Sequence, residues 1–221
     1  MAGIAMVVAT ALAAFALSLT AAPRPALAAG DRPIRIVALG DSLVAGYGLR
    51  AAESFPERLQ NALAAKGVAV EVTNAGVSGD TAADGLARVD WSIPEGTDAV
   101  ILELGANDAL RGVDPAETRK ALAAILRRLQ ERRIPVLLCG MLAPRNLGTA
   151  YAQAFDAIFP ELAAEYNVLL YPFFLQGVAI DQALNQRDGM HPSAAGVDVI
   201  VSRIMPKVEE LIAQARLLRA S

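Results

Sequence analysis

The sequence predicts an α/β fold built on a parallel sheet. After residue 30, short aliphatic or β-branched runs alternate with longer stretches of helical spacing. Most of the short runs are too uniformly apolar to have a solvated face, and strands covered by helices on both sides have this composition. No repeat, linker or low-complexity run interrupts this alternation. We therefore expect a single domain over residues 29–221.

The alternation predicts five strands and four helices in chain order. The strands are expected at 34–39, 68–73, 99–104, 136–139 and 168–171. The helices are expected at 56–66, 115–131, 149–165 and from 193 to about 218. Pro206 falls inside the last helix, and we expect it to kink or split that helix because proline lacks the N–H that helical hydrogen bonding needs.

The N-terminal segment has the pattern of an export signal. Residues 2–22 carry no charge, and residues 26–28 read Ala-Leu-Ala, a small-x-small triplet of the kind that signal peptidase cleaves. Residues 1–28 are thus predicted to be a signal peptide, which implies a periplasmic or secreted protein with no stable membrane association after cleavage. An uncleaved membrane anchor stays open, since no Lys or Arg precedes the apolar run and its length suffices to span a bilayer.

Charge and ligand counts exclude several classes of function. The formal net charge is −3 at pH 7, so we expect no basic face for nucleic acid. The chain contains one histidine, His191, and one cysteine, Cys139. Zinc sites usually draw on several such ligands, so neither a metal nor another cofactor is predicted. Cys139 cannot form an internal disulfide and, following an aliphatic run, is expected to be buried.

Any chemistry that needs an imidazole must use His191. Asp188 precedes it by three residues, and a carboxylate at this spacing in a short loop can orient an imidazole that deprotonates a serine. Asp41 and Asp108 are alternative carboxylates. Ser42 is the candidate serine because Gly-Asp-Ser-Leu follows the first predicted strand, at the edge of a parallel sheet where ligands bind.

Two more polar blocks follow the next two strands, one containing Gly76 and the other, Gly-Ala-Asn-Asp, containing Asn107. The chain resembles the family of GDSL or SGNH hydrolases, and the resemblance covers nearly all of its mature length. It is carried by four sequence blocks, which contain Ser42, Gly76, Asn107 and His191. The stretches 76–81, 85–88, 104–112 and 172–174 are most similar to the bacterial thioesterase I, lysophospholipase L1 and arylesterase branch. Ser78 only approaches the lipase-type Gly-x-Ser-x-Gly elbow and is discounted as a nucleophile.

The resemblance implies a three-layer α/β/α, flavodoxin-like fold with about five parallel strands. It also implies a serine hydrolase that cleaves carboxylic esters or thioesters of acyl chains through an acyl-enzyme on Ser42. In such enzymes His191 would act as the base and Asp188 would orient it. The backbone N–H groups of Ser42 and Gly76 and the side-chain amide of Asn107 would form the oxyanion hole.

The expected partner is a small acyl ester or thioester, bound by a monomeric protein. Side chains near the predicted catalytic edge are possible substrate contacts, namely Tyr47, Leu110, Leu142, Pro144 and Phe173. Core packing accounts for Phe173 equally well. Two other functions stay open at this point. One is a carbohydrate O-deacetylase of the same family, and the other is a flavodoxin-like module that binds a small ligand without turnover.

Overall fold

All five strands run parallel in one sheet of order β2-β1-β3-β4-β5. The computed structural model describes residues 32–220, so the predicted signal peptide at 1–28 lies outside the described residues. The strands are β1 (Ile34–Gly40), β2 (Val70–Gly76), β3 (Ala99–Glu103), β4 (Val136–Cys139) and β5 (Leu169–Tyr171). Each lies within a few residues of its predicted position.

The connections between the strands are mostly helical. The helices are α1 (Ser42–Ala45), α2 (Phe55–Ala65), α3 (Ala82–Ser92), α4 (Ala106–Arg111), α5 (Pro115–Glu131), α6 (Thr149–Asp156), α7 (Ile158–Tyr166) and α8 (Ala194–Ala220). Short 3₁₀ turns occur at Ala51–Glu53 and Arg145–Leu147. Across residues 32–220, none of the helices combines the length and apolar character that crossing a bilayer requires.

The sheet is the middle layer of a three-layer α/β/α arrangement, as predicted. Helices α2 and α8 pack together on one face, and α3, α5 and α7 cover the other. Strands β3 and β4 are buried along their whole length, which explains why their sequences are uniformly apolar. The edge strand β2 differs, because Glu71, Thr73 and Asn74 are exposed there.

The last residues of the five strands lie side by side across the sheet. Register pairs Gly40 with both Gly76 and Glu103, Glu103 with Cys139, and Cys139 with Tyr171. We call these five residues the terminal row. Parallel strands that end at the same level place the loops that follow them at one edge of the sheet. The terminal row therefore determines where the polar blocks of the sequence come together. Cys139 is buried in this row, which confirms its predicted core position.

The predicted helix 149–165 is wrong as a single element, because the chain forms two helices there. Helix α6 ends at Asp156, α7 begins at Ile158, and Pro160 is the third residue of α7. A proline at this position has no N–H for the carbonyl of Asp156 four residues earlier, and its ring clashes with that carbonyl. The helical hydrogen bonds are therefore interrupted where α6 ends.

Pro206 does not split the last helix, so that part of the prediction is wrong. Helix α8 continues through it from Ala194 to Ala220. Pro206 itself is exposed, whereas Ile204, Met205 and Val208 on either side of it are buried. Burial of these side chains offsets the cost of an internal proline, which is about 3 kcal/mol in an isolated helix.

Helix α3 was not among the predicted helices, although the sequence marks its start. Thr81 and Asp84 form a capping box, in which Thr81 Oγ1 accepts from the Asp84 N–H at 3.3 Å and Asp84 Oδ2 accepts from the Thr81 N–H at 3.0 Å. The short helices α1 and α4 were also unpredicted. Both lie directly after strands, where they hold the polar blocks at the edge of the sheet.

Candidate active site

Ser42 is the first residue of α1, two positions after β1 ends. Asp41 caps this helix, with its Oδ1 accepting the N–H of Leu43 at 2.9 Å. As a first-turn residue, Ser42 keeps its backbone N–H outside the hydrogen bonds of the helix. The turn therefore exposes both the hydroxyl and the N–H of Ser42 at the carboxyl edge of the sheet.

His191 lies in the loop before α8, where it meets both residues that the sequence predicts as its partners. Its Nε2 is 2.9 Å from Ser42 Oγ, across a sequence separation of 149 residues. Its Nδ1 is 2.7 Å from Asp188 Oδ2. The arrangement is a continuous hydrogen-bonded chain of hydroxyl, imidazole and carboxylate, which is the geometry of a serine nucleophile with an oriented base.

Backbone donors hold the carboxylate of Asp188 in its ionised form. The N–H groups of His191 and Met190 donate to Asp188 Oδ1 at 3.0 and 2.9 Å, and together with the His191 ring they lower the pKa of Asp188 to about 2. An ionised carboxylate at Nδ1 requires a proton on that nitrogen. The other ring nitrogen, Nε2, is then free to accept the hydroxyl proton of Ser42.

The other two candidate aspartates serve elsewhere. Asp108 is buried, and its carboxylate accepts from the Ala82 N–H at 2.9 Å and the Thr118 hydroxyl at 3.0 Å, so it joins α4 to α3 and α5. Asp41 caps α1. Over residues 32–220, no three His, Cys, Asp or Glu side chains are grouped to hold a metal ion.

Tyr47 lies against the imidazole and does not line the cleft described below. The ring centroids of Tyr47 and His191 are 4.6 Å apart at an interplanar angle of 38°. Gln186 ties the two loops together, because its Nε2 donates to the carbonyls of Tyr47 at 2.7 Å and Pro192 at 3.0 Å. Its backbone N–H also donates to the His191 carbonyl at 2.7 Å. These contacts fix the position of the His191 ring.

Gly76, the last residue of β2, packs directly against the turn that carries Ser42. A Cβ at this position would lie 2.2 Å from the backbone nitrogen of Ala45 and 2.8 Å from the carbonyl oxygen of Asp41, so only glycine fits. The Gly76 N–H donates to Asn74 Oδ1 at 3.0 Å. The structure thus brings Gly76 beside Ser42, with its N–H already hydrogen-bonded.

Asn107, the second residue of α4, has acceptors for both of its amide hydrogens. Its Nδ2 lies 3.0 Å from Asp41 Oδ2 and 3.0 Å from the carbonyl oxygen of Asp80. Asn107 also lines the same cleft as Ser42 and His191. One of these hydrogen bonds would have to be exchanged before the amide could donate to a bound molecule.

Arg88 forms a buried cluster behind these residues that sequence reasoning did not identify. Its Nε donates to Asp80 Oδ2 at 2.6 Å, and its two terminal nitrogens donate to the carbonyls of Ala75 at 2.9 Å and Gly40 at 2.8 Å. The guanidinium therefore joins the ends of β1 and β2 to the loop whose carbonyl holds Asn107. A charged residue on the buried face of α3 was the available signal.

Asp41 and Glu103 form a buried carboxyl pair that the sequence also did not reveal. Both are 0% exposed, and the Asp41 N–H donates to Glu103 Oε2 at 3.3 Å. Burial raises the pKa of Asp41 to about 6 and that of Glu103 well above its usual range. Because Asp41 accepts hydrogen bonds from the Leu43 N–H and the Asn107 amide while Glu103 Oε1 accepts none among the described residues, a single proton on this pair is better placed on Glu103.

A cleft of about 490 Å³ opens next to Ser42, Asn107 and His191. Four of the predicted substrate contacts line it, together with other apolar side chains; the four are Leu110, Leu142, Pro144 and Phe173. Ile180 lines it too, is 96% exposed and has a backbone φ of +73°. A β-branched residue seldom adopts this conformation. The carboxyl edge of the sheet beside Ser42 is therefore bordered by a largely apolar cleft.

Comparison with known proteins gives the same picture. The chain is 37% identical over 178 residues to esterase TesA of Pseudomonas aeruginosa, covering 80% of this chain and 89% of that protein. It is 36% identical over 178 residues to thioesterase 1/protease 1/lysophospholipase L1 of Escherichia coli, covering 80% and 84%. The solved structure of AlinE4, an SGNH-hydrolase family esterase, matches with a TM-score of 0.69 at 48% identity, covering 81% of this chain and 96% of that one.

A family model describes the same stretch of sequence. The model of the GDSL-like lipase/acylhydrolase family matches residues 38–199, which include every motif from Ser42 to His191. This match and the identities above confirm the resemblance drawn from the four sequence blocks, and the chain belongs to the GDSL-like lipase/acylhydrolase family.

Proposed function

We propose that the protein is a serine hydrolase that cleaves carboxylic esters or thioesters of acyl chains through an acyl-enzyme on Ser42. The observation that carries this proposal is the hydrogen-bonded chain from Ser42 Oγ through the His191 ring to Asp188, at 2.9 and 2.7 Å. Family membership and the names of the relatives, esterase and thioesterase among them, support the same reaction class.

In the proposed reaction His191 Nε2 takes the hydroxyl proton as Ser42 Oγ bonds to the acyl carbonyl carbon. Asp188 stabilises the imidazolium that results. The tetrahedral adduct then collapses, the bond to the leaving oxygen or sulfur breaks, and His191 returns the proton to that atom. Water, deprotonated by the same imidazole, attacks the acyl-Ser42 carbonyl. The bond between the carbonyl carbon and Ser42 Oγ then breaks, His191 returns the proton to Oγ, and the carboxylic acid leaves the free enzyme.

The oxyanion of the adduct would be held by Ser42, Gly76 and Asn107. The Ser42 N–H, outside the helical hydrogen bonds, is available at once, whereas Gly76 and Asn107 must exchange partners. Exchange favours the adduct, because a hydrogen bond to an oxyanion is roughly twice as strong as one to the neutral oxygens of Asn74 and Asp80. Asn107 would keep its bond to the ionised Asp41 and release the Asp80 carbonyl.

The lining of the cleft favours acyl chains over acetylated sugars. Leu110, Leu142 and Phe173 present hydrocarbon to the space beside Ser42. A carbohydrate would need several hydrogen-bonding groups there, since burying a sugar hydroxyl without a partner costs free energy. We therefore infer that the acyl part of the substrate occupies this cleft.

The substitution Ser42→Ala should reduce turnover of p-nitrophenyl acyl esters to the background rate, because it removes the nucleophile. A fluorophosphonate probe should label the wild-type protein on Ser42 and leave Ser42→Ala unlabelled. Ser78→Ala is the matched control, since Ser78 is exposed and also lies in a glycine-rich block, and it should keep wild-type activity. Full activity in Ser42→Ala would show that another group is the nucleophile.

The substitution Asn107→Ala should lower kcat by about 10²–10³-fold with a much smaller change in KM, as expected for the loss of one oxyanion donor. Steady-state kinetics on p-nitrophenyl esters measure both constants. Asn61→Ala, on the exposed surface of α2, controls for the loss of a surface amide. Since Asn107 also contacts Asp41 and Asp80, circular dichroism must show the native fold. An unchanged kcat in folded Asn107→Ala would remove this residue from the oxyanion site.

A substrate panel should show kcat/KM rising with acyl-chain length until the cleft is filled. Each buried methylene contributes up to about 0.8 kcal/mol, or roughly fourfold. The panel comprises p-nitrophenyl esters of graded length, an acyl-CoA, a lysophospholipid and an acetylated sugar, with Ser42→Ala as the blank. Preference for the acetylated sugar would contradict the acyl-chain assignment, and tight binding without turnover of any ester would contradict the hydrolase itself.

We also propose that residues 1–28 are a signal peptide and that the mature periplasmic or secreted protein is one domain from Ala29 onward. The support is the uncharged N-terminal run with its Ala-Leu-Ala triplet. The full-length chain expressed in a Gram-negative host should appear in the periplasmic fraction with an intact mass that starts at Ala29. Recovery of the full-length mass from the membrane fraction would instead indicate an uncleaved anchor.

A further inference from the structure

Two fully buried carboxyl groups lie directly beneath Ser42. Asp41 and Glu103 are both 0% exposed, and among the described residues neither forms a salt bridge with Lys, Arg or His. Two ionised carboxylates in contact repel strongly at low dielectric, so such a pair retains one proton. Asp41 accepts hydrogen bonds on both carboxyl oxygens, which favours its ionised form, whereas Glu103 Oε1 has no donor among the described residues, so Glu103 is the better holder of that proton.

The ionised partner, Asp41, contacts two elements of the proposed active site. Its Oδ1 accepts the Leu43 N–H at 2.9 Å and thereby holds the first turn of α1, which carries Ser42. Its Oδ2 accepts from Asn107 Nδ2 at 3.0 Å. The orientation of this one carboxylate therefore sets both the turn of the nucleophile and the direction of the Asn107 amide.

Glu103, the last residue of β3, contacts Asp41 and, unlike Asp41, does not line the cleft. The Asp41 N–H donates to Glu103 Oε2 at 3.3 Å, which brings the two carboxyl groups into proximity. Glu103 Oε1 is buried without a hydrogen-bond partner among the described residues. Such an orphan oxygen costs free energy, and an apolar side chain would fill the site at lower cost. The presence of a glutamate at position 103 therefore indicates a role other than stability.

We propose that Glu103 is a positioning residue that, as a neutral carboxylic acid, donates a hydrogen bond to Asp41 and so fixes the carboxylate that aligns Asn107 and α1. This inference rests on the proposed function, since Asn107 matters here as an oxyanion donor. In a site of this kind, misplacing a donor by a fraction of an ångström lowers the rate of the chemical step and leaves substrate affinity nearly unchanged.

Other titratable or charged groups face the pair from neighbouring elements. His191 faces Asp41 from the loop before α8 and lowers the Asp41 pKa when charged. Cys139 adjoins Glu103 in the terminal row, and Tyr171 follows Cys139. From α3, the Arg88 guanidinium reaches the Gly40 carbonyl next to Asp41.

The sign of the expected pH effect follows from Asp41. Its pKa is raised to about 6 by burial, while the hydrogen bond from Glu103 lowers it. Removing that hydrogen bond must raise the Asp41 pKa further, so the carboxylate that aligns Asn107 would be lost at a higher pH. The acid limb of the kcat/KM profile would then move upward, whereas a purely structural defect would leave its position unchanged.

The test compares Glu103→Gln with Glu103→Leu on p-nitrophenyl esters from pH 5 to 9. Glutamine retains one hydrogen-bond donor and one acceptor at this position and can turn the donor toward the Asp41 carboxylate, so kcat should stay within about threefold of the wild type. Leucine removes both, and kcat should fall by about 10- to 100-fold with little change in KM. The acid limb of Glu103→Leu should shift upward by at least about half a pH unit.

Cys139→Ala is the matched control, because it alters a buried neighbour in the terminal row without touching Asp41, and it should keep the wild-type profile. Glu103→Met replaces the leucine variant if the latter fails to fold, as judged by circular dichroism. Wild-type kcat in folded Glu103→Leu, an acid limb that does not move, or equal losses in Glu103→Gln and Glu103→Leu would each overturn the proposal. Failure of the proposed function is distinguishable, since it would appear as no turnover and no fluorophosphonate labelling of the wild-type protein.

Discussion

The level ending of five parallel strands is the constraint on which the whole site depends. Hydrogen-bond register places Gly76, Gly40 and Glu103 side by side, so the blocks that follow β1 and β3 emerge next to the end of β2. Ser42 and Asn107 therefore approach each other although the strands β2 and β3 and the helices α2 and α3 separate them in sequence. The loop that carries His191 crosses this edge of the sheet. There, Gln186 Nε2 donates a hydrogen bond to the Tyr47 carbonyl and holds the loop in place.

The size of the side chains along the terminal row determines which groups can be buried next to Ser42. A Cβ on Gly40 would lie 2.7 Å from Glu103 Oε2, so the missing side chain makes room for the buried carboxyl group. Gly76 leaves comparable room for the turn that carries Ser42. The same two strand ends present the carbonyls of Gly40 and Ala75 to Arg88. Small residues at one end of the row thus permit charged groups to be buried within hydrogen-bonding distance of the site.

Local sequence predicted those features that depend on local interactions. The apolar runs gave the strands, and the spacing of Asp188 and His191 was enough to indicate their hydrogen bond because both lie in one short loop. The contacts of Asp41 with Glu103 and Asn107 join residues 62 and 66 positions apart, and no nearby pattern encodes them. The two prolines make the same point, since Pro160 interrupts a helix whereas the packing around Pro206 preserves one.

The hydrogen bonds already present around Asn107 decide how it can serve a substrate. A developing oxyanion competes well with the neutral carbonyl of Asp80 but poorly with an ionised carboxylate, because charge-assisted hydrogen bonds are the stronger ones. Asn107 can therefore give up the bond to Asp80 and must keep the one to Asp41. The hydrogen bond to the Asp41 carboxylate then holds the Asn107 amide in place, so that its released hydrogen is directed toward the cleft. This requires Asp41 to be charged while fully buried, a state that a neutral hydrogen-bond donor beside it stabilises and a second negative charge would oppose.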